Sequence, residues 1–263
     1  MLGKLLKYDL KYMIKNMSVF YILAIVFAII TRILLSVEQT IIATIIKNIT
    51  TGCMFAMVAN IIINTLMRSW VRFRDSIYKD EGYLTNTLPV TKNQIYNSKF
   101  IQALIFFIVS FVIVLLSIAI AYLNKDRWEL LKNYIKGITT GLEISSGLFI
   151  SGFLGIVFLE MFNALQCGFF GIILGYKQNN NRVALSVLFG FIAYFASQSI
   201  VLALVFIVGL FNESVMGLFT NTVLLETGAL KILFALSMIL YIIIIWIMSI
   251  ICKKLLNKGV NLE

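Results

Sequence analysis

Six long apolar segments divide this chain and limit what it can fold into. Each segment has about as many residues as are needed to cross some 30 Å of hydrocarbon, roughly 20, or more. Hydrophobic residues make up 60% of the 263 residues, against about 45–50% in a typical soluble domain, so a water-soluble fold would leave too much apolar surface exposed. We therefore predict an all-α, polytopic membrane protein with one transmembrane domain over residues 1–263. The predicted spans are residues 18–37, 41–67, 100–123, 144–175, 183–211 and 230–252.

Lysine and arginine residues indicate the orientation of these spans, because loops rich in them stay in the cytoplasm. Fifteen of the 22 basic residues fall on one side of the predicted topology. Both termini are therefore expected to be cytoplasmic, in a plasma (inner) membrane of the bacterial type. The net charge of +10 then reflects topology and contact with anionic lipid, and nucleic acid is not an expected partner.

The segment before the first span, residues 1–17, has two faces. Leucine and methionine residues recur at spacings of three and four on one face, and lysines do so on another. A helix of this kind lies in the headgroup plane and contacts membrane lipid; the alternative is that its charges only orient the first span. The predicted interfacial lysines are Lys4, Lys7, Lys11 and Lys15.

Two segments on the opposite side of the membrane are too polar to span it. Residues 124–143 mix charges with Trp128, Leu130, Leu131 and Tyr134, which is typical of an interfacial helix. Residues 212–229 are half apolar. One interpretation of that segment is a re-entrant loop, which requires that protein cover its backbone.

The residue types needed for catalysis are scarce. The chain has no histidine, which is the commonest residue in zinc sites and in catalytic triads, and its cysteines are far apart. No metal site is therefore expected. No span contains the paired aspartates or Ser–His pair of an intramembrane protease. The GxxxxGK[ST] loop that binds ATP phosphates is absent as well. We expect neither an enzyme nor a cofactor in this chain.

Polar side chains occur at intervals within the spans. Glu160 is the only acidic residue deep inside one, where an ionised side chain costs roughly 2.5–3.5 kcal/mol. Two interpretations stay open, a polar translocation path and hydrogen bonds that hold helices together. The candidates are Asn60, Asn64, Glu160, Asn163, Gln166 and Gln198.

Small residues recur every four positions in the fourth span. The positions are Gly147, Ser151 and Gly155, then Gly171 and Gly175. This spacing predicts close helix–helix packing in a membrane.

Residues 68–99 form the longest polar interval and contain Pro89, the only proline. The second span's helix is expected to continue into this interval until Gly82 breaks it. Thr91 followed by Gln94 predicts a capping box that starts the next helix. Residues 80–88 between them are predicted to form a compact, hairpin-like element.

That element is expected to expose Tyr83, Leu84 and Leu88. A solvated loop has no need for this apolar content, which favours a docking surface. Its residues Glu81-Gly82-Tyr83-Leu84, Thr87-Leu88-Pro89-Val90-Thr91 and Ser98-Lys99 resemble a pattern between the second and third spans of ABC-2 type permeases, the six-span subunits of ABC exporters. Tyr83 stands where many members have threonine. The resemblance extends along the chain, through the basic N-terminal helix, the six spans and the larger outer segment before the last.

The resemblance implies that residues 68–99 couple this chain to a separate ATPase subunit, present in two copies, which binds ATP and Mg. It also implies a second permease chain, either a copy or a relative. An amphipathic or hydrophobic substrate, such as a peptide, fits the apolar spans and compact outer loops. The alternative is a non-transporting membrane scaffold or immunity protein. The implied coupling residues are Asp80, Glu81, Gly82, Tyr83, Leu84, Thr87, Leu88 and Pro89.

Overall fold

The computed structural model describes residues 2–37, 40–141, 144–220 and 227–259, and these residues form helices and turns without any strand. Six of the helices described are long and apolar enough to cross a membrane, namely α1, α2, α4, α6, α7 and α9. The predicted all-α fold with six helices of membrane-spanning length is thereby confirmed. The helices are α1 (Leu2–Leu35), α2 (Ile41–Ile77), α3 (Asp80–Thr87), α4 (Lys92–Tyr122), α5 (Lys125–Gly141), α6 (Ser146–Gly175), α7 (Arg182–Phe211), α8 (Glu213–Thr220) and α9 (Thr227–Asn257).

Helix α1 joins the N-terminal segment to the first span. The sequence analysis expected a separate helix over residues 1–17, but α1 has no boundary there. The four lysines are exposed, Met13 and Met17 are fully buried and pack with Phe106 of α4, and the amphipathic character of the whole segment stays a prediction. Because these methionines are anchored on α4, the segment continues the helix of the first span. Its location in the headgroup plane stays a prediction.

The chain divides into two compact units, and the first ends at Trp128. In this unit α4 packs against both α1 and α2, which also pack against each other. Ala24, Ile61 and Val114, one from each helix, are buried in a shared apolar cluster. The hydroxyl of Ser110 on α4 lies 2.7 Å from the hydroxyls of both Tyr21 and Thr65, so hydrogen bonds join the same three helices.

The second unit begins at Glu129, and in it α6 packs against α7 and α9. A Cβ atom at Gly171 would clash with the backbone of Gly190 and Ser186, and one at Gly175 would clash with Ser186. At Gly155 it would lie 2.9 Å from Met238 Cε. The predicted close packing is thus confirmed at Gly171 and Gly175, where backbone atoms leave no room for a side chain. At Gly155 the flexible end of Met238 can move aside, and at Gly147 nothing lies within 4 Å of the added Cβ.

The two segments predicted on the opposite side also contain helices. Helix α5 covers most of residues 124–143 and leaves Trp128, Leu130, Leu131 and Tyr134 exposed. Helix α8 lies near the start of residues 212–229 and packs on α7 and α9. Residues 221–226 lie outside the described part of the chain, so the re-entrant arrangement stays a prediction.

Candidate functional site

The polar segment between α2 and α4 folds around the short helix α3. Helix α2 ends at Ile77, the cap Tyr78 is buried, and Lys79 is extended. The hairpin-like element expected here is therefore an eight-residue helix, and Gly82 lies inside it instead of ending α2. The chain turns at Lys79 because Tyr78 is held in the interior.

Helix α4 begins where the sequence predicted it. The Thr91 hydroxyl accepts a hydrogen bond from the backbone N–H of Gln94 at 3.3 Å, and the Gln94 side chain accepts one from the Thr91 N–H at 3.2 Å. This reciprocal pair is the predicted capping box, which satisfies two N–H groups at a helix start. It fixes the point at which the chain leaves α3 and enters the third span.

Helix α3 and the residue after it expose apolar side chains to the surroundings of the chain. Tyr83 is 52% exposed, Leu84 73% and Leu88 44%, as predicted. We call these three residues the α3 surface. Thr87 and Pro89 next to it are also exposed, whereas Gly82 is buried. The side chain of Asp80 lies outside what the structure describes, so its expected contact stays a prediction.

Arg72 on α2 holds α3 in place. Its Nη1 donates hydrogen bonds to both carboxylate oxygens of Glu81, at 2.8 and 2.6 Å. Its Nε donates to Oδ1 of Asp9 on α1 at 2.9 Å. The Tyr12 ring centroid lies 4.7 Å from Arg72 Cζ, within the range of a cation–π contact. One guanidinium thus connects α1, α2 and α3, which its fork of N–H donors suits.

Asp9 is the centre of this arrangement. Its side chain is only 2% exposed, and Lys99 Nζ, on a side chain 5% exposed, lies 2.5 Å from Oδ1. The Ser98 hydroxyl donates to Oδ2 at 3.2 Å. A single buried carboxylate therefore faces two cations, Arg72 from α2 and Lys99 from α4. Burial of a carboxylate is tolerated when it is paired and hydrogen-bonded in this way.

Asp9 is not among the residues predicted from the sequence, although a signal for it is present. Asp9 is seven residues after Leu2, three after Leu6 and four before Met13, and so it lies on the apolar face of the N-terminal helix. An acidic residue on such a face has to be paired or protonated. The sequence alone did not indicate the partner.

The four ionised side chains Asp9, Arg72, Glu81 and Lys99, which we call the charge network, carry two positive and two negative charges. Three of them are buried, whereas the Glu81 side chain is 52% exposed. Removing one partner of a buried pair costs about 3–5 kcal/mol, whereas an exposed pair contributes about 0–1 kcal/mol. Loss of a charge is therefore expected to destabilise the network most at Asp9 and least at Glu81 on α3.

The polar residues of the second unit connect its helices. Asn163 of α6 donates to the Ser197 hydroxyl of α7 at 2.8 Å, with both side chains buried. Gln166 of α6 donates to Cys252 Sγ of α9 at 3.8 Å. These contacts are those of residues that hold helices together. Glu160 and Gln198 make hydrogen bonds to tyrosines and are only partly buried.

The remaining two predicted polar residues, Asn60 and Asn64, belong to the first unit. Asn64 Nδ2 donates to the Asn60 backbone carbonyl at 3.0 Å, within α2. The six candidates are therefore not all brought together by the contacts described, and a continuous path stays a prediction. Among the residues described, no group of three or more His, Cys, Asp or Glu side chains is placed to hold a metal ion.

The charge network and the α3 surface together define the candidate site. Comparison of the chain with protein-family models, with curated proteins and with solved structures found no match. Its function must accordingly be argued from its own residues and from the resemblance of residues 81–99 to the exporter pattern.

Proposed function

We propose that this chain is the permease subunit of an ATP-driven exporter of the ABC-2 type. The observation that carries the proposal is the construction of α3. This short helix and the residue after it expose three apolar side chains, and its Glu81 is ion-paired to a buried arginine. A small apolar centre with polar surroundings is typical of a protein interface, and the ion pair gives that interface a connection to the spans.

In this proposal, the ion pair of α3 transmits movement of the partner to the spans. A partner that pulls or tilts α3 acts on Arg72 through Glu81, and Arg72 acts on α1 through Asp9. Lys99 extends the same connection to α4. Because Asp9 contacts both Arg72 and Lys99, a displacement that keeps the Glu81–Arg72 contact is transmitted to α1, α2 and α4.

The other components of the proposal come from the sequence. As the resemblance implies, ATP and Mg are bound by a separate ATPase in two copies; the chain itself has no phosphate-binding loop. A second permease chain completes the pathway. The exposed lysines of α1 contact anionic lipid on the cytoplasmic side of a bacterial-type plasma membrane, where both termini lie. The substrate is amphipathic or hydrophobic, such as a peptide.

The first test is whether a reading frame beside this gene encodes an ATPase with a phosphate-binding loop, and whether this chain captures that ATPase. Tyr83→Ala with Leu84→Ala is expected to weaken capture about thirtyfold, because truncation of an aromatic residue in an interface centre costs about 2 kcal/mol or more. Leu130→Ala with Leu131→Ala is the matched control, since it also removes two exposed apolar side chains, but from α5. The control variant should capture the ATPase as wild type does.

Two results would contradict the proposal. One is normal capture and normal substrate-stimulated ATP hydrolysis with the Tyr83/Leu84 variant. The other is an active chain, measured by mass in nanodiscs, without any ATPase, which would favour the non-transporting scaffold or immunity protein.

A further inference from the structure

Glu160 on α6 is a carboxylate within a predicted span, and no described lysine or arginine is ion-paired with it. Tyr194 on α7 donates a hydrogen bond to its Oε1 at 3.2 Å. None of the ion pairs in the described part of the chain includes Glu160. Its side chain is only partly buried.

Comparison with Asp9 shows that Glu160 lacks cationic partners among the described residues. Asp9 has two cations and a hydroxyl as partners, whereas Glu160 has one neutral hydroxyl. An ionised carboxylate in the bilayer costs roughly 2.5–3.5 kcal/mol, and one hydrogen bond to a charged group offsets about 1.5–3 kcal/mol. A positive charge brought by a ligand would compensate for the rest.

The polar groups beside Glu160 point to a ligand with more than a charge. Gln198 lies one turn after Tyr194 on α7, and its Oε1 accepts a hydrogen bond from Tyr241 of α9 at 3.0 Å. Its Nε2 is buried and donates no well-formed hydrogen bond to a described residue, although the amide also lies near the Tyr194 hydroxyl. An unused buried N–H donor costs about 1–3 kcal/mol and would be satisfied by a carbonyl oxygen.

The next polar pair along α6, Asn163 with Ser197, has hydrogen-bond partners for both polar atoms of its amide. Asn163 donates to Ser197, and both side chains are buried. Cys167 Sγ lies 3.8 Å from Asn163 Oδ1, so the amide oxygen also has a partner. This pair has no group left for a ligand and serves as an internal comparison.

We propose that Glu160, Tyr194 and Gln198 form a recognition site for the ammonium group and adjacent carbonyl of an amphipathic peptide. The carboxylate of Glu160 pairs with the ammonium, Tyr194 orients that carboxylate, and Gln198 Nε2 donates to the peptide carbonyl. This inference rests on the proposed export function for the role of the site, since it names the class of substrate that is exported.

Equilibrium binding to the isolated chain in nanodiscs of zwitterionic lipid tests the site without the ATPase. The probe is radiolabelled glycine dodecylamide, which has an ammonium, a carbonyl and an apolar tail. N-acetylglycine dodecylamide is its uncharged counterpart. The chain's net charge of +10 opposes non-specific binding of a cation. We expect the amine to bind at least tenfold more tightly than the acetylated compound.

Glu160→Gln keeps an oxygen that accepts from Tyr194 but removes the charge. It should weaken amine binding about tenfold and leave binding of the acetylated compound unchanged. Ser197→Ala, which removes the partner of Asn163, is the control and should bind the amine as wild type does.

Equal binding of the two compounds to wild type, undiminished amine binding to Glu160→Gln, or no binding at all would overturn the inference. Absence of amine binding from a chain that still couples to its ATPase would refute this inference alone. Glu160-dependent binding in a chain that captures no ATPase would refute the export function and retain the site.

Discussion

Replacing Asp9 with asparagine tests whether the charge network holds the first unit together. The substitution keeps the size of the side chain but removes the negative charge that Arg72 and Lys99 share. Asp9 is 2% exposed and Lys99 5%, so water cannot replace the lost charge. Breaking a buried pair in this way costs about 3–5 kcal/mol. For a unit of this size the loss corresponds to a fall in melting temperature on the order of 10 °C.

The detergent-solubilised protein is heated, and size-exclusion chromatography then measures the fraction that stays monodisperse. Glu81→Gln is the matched control, because it also replaces a carboxylate of the network with an amide. The Glu81 side chain is 52% exposed, and its pair with Arg72 is screened by solvent. The expected loss is therefore about 0–1 kcal/mol, a shift of a few degrees at most.

A double variant separates charge balance from other effects. Asp9→Asn leaves the four positions with one excess positive charge, and adding Lys99→Gln restores neutrality. The double variant should therefore be more stable than Asp9→Asn alone, which is a coupling that a double-mutant cycle measures directly. Our reasoning is refuted if Asp9→Asn melts with wild type, or if the double variant is no more stable than the single one.

Two further substitutions test local features. Gly171→Ala should lower the melting temperature, because its Cβ would meet the α7 backbone and overpacking costs about 1–3 kcal/mol. Gly147→Ala is the control, since an added Cβ there has nothing within 4 Å. Equal shifts in melting temperature for the two variants would contradict the packing of α6 on α7. Thr91→Ala should cost about 1 kcal/mol by removing the N-cap of α4, seen as faster amide exchange in its first turn, whereas unchanged exchange would mean that the capping box contributes nothing.

The features read correctly from the sequence depend on local signals. The long helices follow from continuous apolar runs, and the start of α4 follows from Thr91 and Gln94, three residues apart. No glycine or proline lies between Gly3 and Gly52, so the continuity of α1 was also readable, although the change from lysine-rich to apolar residues suggested two helices.

The features missed depend on residues distant in sequence. Asp9 meets its partners 63 and 90 positions away, a separation that no periodicity reveals. Likewise, α3 contains a glycine and is only eight residues long, too short to be stable alone. Its helical form depends on packing against α2, a tertiary contact that the local sequence does not reveal.

The position of Asp9 has a consequence for biogenesis. Synthesis proceeds from the N-terminus, so this aspartate leaves the ribosome long before Arg72 and Lys99 exist. Until the third span begins to emerge, the carboxylate must stay hydrated or take up a proton, and α1 cannot settle on its final neighbours. Completion of the first unit therefore waits for Lys99, and a nascent chain arrested before that residue should remain open to quality-control proteases.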